Sequence, residues 1–156
     1  MITTQIQIKA HLAEYVKSIY RKENSEAVAF PPNEDLYITV SDLMQKLPEG
    51  VDPVVGNLEI VLPVRSSGKC PTYFNYLSRK AQEILETKIE NRFWAHLHEF
   101  VDEKVHIDGD EIRHAVYMFI TRHEIESITS DALSKNYYRW RFNTKRKRKT
   151  RRYEFK

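Results

Sequence analysis

The chain has 156 residues, enough for one ordinary domain and at most a second small module, and its 41% hydrophobic and 30% charged residues give it a core but no stretch near the ~18 apolar residues of a transmembrane helix. The N-terminal Met1-Ile2-Thr3-Thr4-Gln5 has neither the basic lead nor the apolar run of a secretory signal, and the single Cys70 excludes an intrachain disulfide and a cysteine-based zinc site. The net charge of +3 hides a sharp asymmetry: residues 135–156 hold eleven Lys and Arg against one acid, Glu154, a net +10 that leaves −7 on residues 1–134.

Gln5-Ile6-Gln7-Ile8-Lys9 alternates and predicts a strand over 5–9. Leu12, Tyr15, Val16, Ile19 and Tyr20 recur at helical spacing and predict a helix over 10–22. Ala27 to Phe30 suits a short strand, stopped by Pro31-Pro32. Within 36–47 the later part reads as helix, with Ser41 as its cap and Leu43, Met44 and Leu47 on one face. Leu58 to Leu62 is rich in aliphatic and β-branched residues and predicts a strand. Leu77, Ala81, Ile84, Leu85, Ile89, Phe93, Leu97, Phe100 and Val101 then keep a helical period, predicting a long helix over 77–102 with a possible break near Asn91. Ile112, Ala115, Val116, Phe119 and Ile120 define a further helix over 110–123.

After a short connection, Thr129 or Ser130 suits an N-cap, and Leu133, Tyr137 and Trp140 fall at i, i+4 and i+7. The preferred reading is helix to about Arg141; the alternation of Tyr138, Trp140 and Phe142 allows a strand instead, with Tyr153-Glu154-Phe155 as its partner. The expected fold is α+β and predominantly helical: a small β-sheet packed on a long helix, then a helix-turn-helix-like pair and a basic tail. The corresponding divisions are 1–109, 110–144 and 145–156.

In a helix-turn-helix the second helix enters the major groove and presents side chains to base edges. Here that helix carries Lys135, Asn136, Arg139 and Arg141, residue types that suit guanine and adenine edges. Tyr137, Tyr138, Trp140 and Phe142 interleave with these charges, to pack on the core or to stack on bases. Beyond them Lys145, Arg146, Lys147, Arg148, Lys149, Arg151 and Arg152 form a like-charged run, expected to be disordered in isolation and relieved by counterion release on a polyanion. A nuclear-localisation signal, an anionic-membrane patch and a solubility tail are the other readings of the run; nucleic acid is favoured over lipid because no amphipathic or lipidation element accompanies it. An ordinary helix pair with a solvated basic face is the bland reading of the whole unit.

The loop Arg65-Ser66-Ser67-Gly68-Lys69-Cys70 departs from a P-loop, with Pro63 at the first glycine position and Cys70 at the hydroxyl position. Arg65 and Lys69 retain only a minor claim on a phosphate. His96 and His98 diverge by roughly 200° on a helix, and His114 and His123 are nine residues apart, so no metal site, cofactor site or catalytic constellation is expected.

The stretches Gln5 to Tyr15 and Ile128 to Arg141 resemble uncharacterised small proteins of phages and mobile elements of gut Bacteroidetes. The resemblance covers about 25 of 156 residues and implies a setting, a bacterial or phage cytoplasm with DNA nearby, but no activity. In that setting the basic run reads as a nucleic-acid contact. The expected function is non-enzymatic nucleic-acid binding, DNA favoured over RNA, by an accessory or regulatory factor. The alternatives are a virion or assembly component whose basic arm contacts genome, an acidic protein partner or another copy of itself, and a single-strand or RNA binder that stacks bases on Tyr137, Tyr138 and Trp140. No membrane association is expected.

Overall fold

A computed structural model describes the backbone of residues 1–65 and 68–154 and the side chains of residues 1–65 and 68–144. The fold is α+β and predominantly helical. Its elements run β1 (Thr3–Ile6), α1 (Ala10–Tyr20), α2 (Asp35–Leu43), β2 (Leu58–Val61), α3 (Arg79–His106), α4 (Ile112–Arg122) and α5 (Ser130–Glu154). The chain separates into two compact units, Met1–Phe93 and Trp94–Lys156, so the division falls inside α3 and not after residue 109. No helix of the described residues is long and apolar enough to cross a membrane.

In the first unit β1 and β2 pair antiparallel, with Thr3 opposite Val61 and Ile6 opposite Leu58. The strand expected over 5–9 lies at 3–6. Its backbone leaves the ladder after Ile6 because side chains take the next amides: Gln7 N–H donates to Gln82 Oε1 and Ile8 N–H to Asn57 Oδ1. Gly56 sits against the Ile6 carbonyl, where a Cβ would collide with the backbone. The strand expected over 27–30 shrinks to a bridge at Val28, whose N–H donates to Glu59 O and whose carbonyl accepts from Val61 N–H.

The first half of α3 is the spine of this unit. Leu85, Ile89 and Phe93 are buried with Leu12, Val16 and Ile60, and both His11 and Tyr15 meet the Phe93 ring edge-on. Lys9–Glu90, Lys88–Asp35 and Arg92–Glu34 ion pairs tie the loops before α1 and at the start of α2 to it. Asn91 causes no break; the helix runs through it.

Ser41 is buried in the last turn of α2 and is no cap, because that helix begins nearly two turns earlier, at Asp35. Lys69 is engaged at the other end: its ammonium donates to the carbonyls of Asp42 and Met44, where a helix leaves carbonyls unpaired. Ser66, Ser67 and Phe155 lie outside the described residues.

The second unit is built from the last turns of α3 with α4 and α5 around Leu97, Phe100, Val101, Ala115, Val116, Phe119, Leu133 and Tyr137. Gly109, at φ +73°, turns the chain between α3 and α4. Thr129 caps α5, its hydroxyl accepting from Ala132 N–H. From there the helix continues to Glu154, past the expected end near Arg141, which also removes the strand alternative for 138–142 and for Tyr153-Glu154. Nothing between Ser130 and Glu154 is Gly or Pro, and Lys and Arg are good helix formers, so no local signal stops the helix.

Candidate nucleic-acid interface

The two faces of α5 differ in kind. On the inner face Leu133 and Tyr137 are fully buried, and the Tyr137 hydroxyl donates to Asp102 Oδ1 at 3.0 Å. His98 Nε2–H donates to the Asn136 carboxamide oxygen at 2.6 Å, and the His98 ring stacks on Trp140 with centroids 4.6 Å apart and planes 14° from parallel. Three of the side chains expected to meet nucleic acid or stack on it are therefore engaged inside the unit. Tyr137 is core, Asn136 is tied to α3, and Trp140 is half-buried against an imidazole.

The outer face carries Lys135, Tyr138, Arg139 and Phe142, spaced i, i+3, i+4 and i+7, all exposed. At 100° per residue they form one stripe roughly opposite Trp140. Tyr138 is 55% and Phe142 66% exposed, so two aromatic rings one turn apart alternate with two cations. Lys135 is shared with Asp131 one turn earlier, across 3.1 Å. Arg141 is not on this stripe. It diverges from Arg139 by roughly 200°, is half-buried, and its Nε is buried without a hydrogen-bond partner. Arg139 and Arg141 therefore do not share an edge. Lys145, Arg146, Lys147, Arg148, Lys149, Arg151 and Arg152 follow on the same continuous helix; their side chains lie outside those described.

Electrostatics separate the faces further. Beside Trp140, one stripe of α3 opens a cavity of about 600 Å³ lined by Glu99, Asp102 and Glu103 together with His98 and His106. Burial holds His98 below the ordinary imidazole range against the opposing effect of its bond to Asn136, which keeps that ring neutral and the groove negative. His106 leans on Asp102 at 3.2 Å. A polyanion is repelled there. Among the described residues no cluster of three His, Cys, Asp or Glu side chains has the geometry to hold a metal ion.

Residues 123–129 connect α4 to α5, seven residues where a helix-turn-helix has three or four. Sequence reasoning also passed over Arg113, exposed at the start of α4, which lines a cavity of about 370 Å³ with Ser134, Lys135 and Tyr138 of α5. Arg113 lies in the stretch Asp110-Glu111-Ile112-Arg113-His114, apart from the basic region of the chain, so only the pairing of α4 with α5 reveals it. No family model, curated protein or solved structure significantly matches this chain.

Proposed function

We propose that this chain is a non-enzymatic nucleic-acid-binding protein, with double-stranded DNA as its favoured target, serving as an accessory or regulatory factor of a phage or mobile element. One observation carries the reading: the exposed stripe Lys135–Tyr138–Arg139–Phe142 and the basic run 145–152 belong to a single uninterrupted helix, α5. At 1.5 Å per residue its 25 residues span roughly 37 Å, more than one turn of duplex. The run supplies sequence-independent attraction to phosphates, while Arg139 is the cation on the exposed stripe with the fork geometry for a guanine edge. The setting rests on the resemblance of residues 5–15 and 128–141 to phage and mobile-element proteins.

A second reading is favoured by one observation, the exposure of Tyr138 and Phe142 one turn apart. Rings so placed stack on unpaired bases, each worth about 1–3 kcal/mol, which points to single-stranded nucleic acid. The deciding measurement is anisotropy of labelled duplex and single strand of equal length at about 50 mM salt. Duplex binding in the micromolar range or tighter, with single strand weaker, is the expected result; non-specific duplex binding alone reaches about 10⁻⁴–10⁻⁶ M. Tighter single-strand binding that collapses in Tyr138→Ala/Phe142→Ala selects the second reading. Absence of binding to either at tens of micromolar protein overturns both.

A further inference from the structure

A cavity between the first turns of α4 and α5 carries a net positive formal charge. Arg113 enters it from the first turn of α4; Ser130, Ser134, Lys135 and Tyr138 enter it from α5. The Arg113 guanidinium makes no ion pair among the described residues, and no hydrogen bond engages the hydroxyls of Ser134 and Tyr138. The recess, about 370 Å³, exceeds the size of a phosphate group. Its formal charge is +1, from Arg113 and Lys135 against Asp131, which holds Lys135 at 3.1 Å.

We propose that this pocket binds a backbone phosphodiester of nucleic acid, with Arg113 as its principal charge and the hydroxyls of Ser134 and Tyr138 as donors. The inference rests on the nucleic-acid reading and deepens it. It adds an anchor on α4, so that the duplex is held at two separate points on this unit, the recess and the basic run. A phosphate contact of this kind fixes register without reading sequence. Asp131 is the built-in brake: it shares Lys135 and opposes the incoming anion, so its removal strengthens the contact.

The test is a salt titration of the full chain on one duplex, comparing wild type with Arg113→Ala, Asp131→Asn and Arg79→Ala. Arg79 is an exposed arginine of the other unit and controls for loss of one charge. The expected result for Arg113→Ala is a slope of log K against log salt shallower by about 0.9, one phosphate contact, equally on any sequence, with affinity several-fold lower at about 100 mM salt. Asp131→Asn tightens binding a few-fold, and Arg79→Ala keeps the wild-type slope. A second arm follows the amide resonances of Arg113 and Ser130 during titration with inorganic phosphate at constant ionic strength. Shifts that saturate in wild type and vanish in Arg113→Ala, together with the changed duplex slope, support the proposal. Phosphate shifts with an unchanged duplex slope assign the pocket to free phosphate and overturn the backbone contact. An Arg113→Ala chain with wild-type slope and affinity overturns the pocket while leaving the function standing. A wild-type chain that binds no duplex overturns both.

Discussion

His98 Nε2–H donates to the carboxamide oxygen of Asn136 across 2.6 Å, joining residues 38 apart in sequence and fixing the rotation of α5 against the last turns of α3. That bond, with the Trp140 ring stacked on the same imidazole, decides which side chains of α5 face outward. Asn136→Ala is therefore expected to cost about 1 kcal/mol of stability, read as a lower urea midpoint. Duplex affinity, measured where both proteins are folded, stays within about two-fold. An unchanged midpoint with a loss of about 1–3 kcal/mol on a preferred site would return Asn136 to the base edge.

Tyr137 separates packing from hydrogen bonding. Its ring is fully buried and its hydroxyl donates to Asp102, a half-exposed carboxylate that water can reach once the bond is gone. Tyr137→Phe is expected to cost about 0.5–1.5 kcal/mol and Tyr137→Ala about 3–5 kcal/mol, by denaturant unfolding. Burial, and then the Asp102 bond and charge, push the phenol up to about 12. Being raised, it contributes stability that is lost as pH climbs from about 10 toward 12, where the unfolded phenol ionises first. Near-equal losses in the two variants would place this ring at a solvated surface.

Much of this fold was legible because its periodicities are local. Leu12, Tyr15 and Val16 repeat on α1, Ala115, Val116 and Phe119 on α4, and Leu133 with Tyr137 on α5; each set is buried. The misses share a physical origin in partners distant along the chain. Nothing local says that Gln82 and Asn57 will take the amides of Gln7 and Ile8 and end β1 early, or that Lys69 will cover carbonyls of α2. The division of the α5 aromatics into buried Tyr137, stacked Trp140 and exposed Tyr138 and Phe142 follows from rotation about the helix axis. Composition gives the types of those residues, and the burial of Leu133 with the contacts to His98 and Asp102 gives the angle.

Three imidazoles of the second unit make its stability depend on pH. His123 is buried between Phe119 and His96, and desolvation, then His96 and Arg122, lower it to about 4; burial lowers His96 and His98 as well. A lowered value means the unfolded chain, titrating near 6.5, takes up a proton that the folded chain refuses. This stability is fully present above about pH 6.5 and is lost as pH falls toward 4. For His123 alone the loss between pH 7.5 and 5 is about 2 kcal/mol. Urea midpoints at pH 7.5, 6 and 5 should fall accordingly, and His123→Phe, which keeps a ring in place, should flatten the dependence. Equal slopes for the two proteins would mean that His123 ionises freely in the folded state.

The basic run sets the salt dependence of binding. Residues 145–152 hold seven Lys and Arg, and about five phosphate contacts by them contribute roughly −4.5 to the slope of log K against log salt. Between 50 and 200 mM salt that contribution weakens affinity by several hundredfold. Every side chain buried among the described residues lies within residues 1–144, so their thermal midpoint should match that of the full chain. Their slope should be flatter by about four units, while any base preference from Arg139 persists. Slopes agreeing within about one unit would exclude the run as a phosphate clamp and leave an acidic protein partner as the better account of its charge. A truncated chain that melts well below the full one would instead make the end of α5 part of the fold.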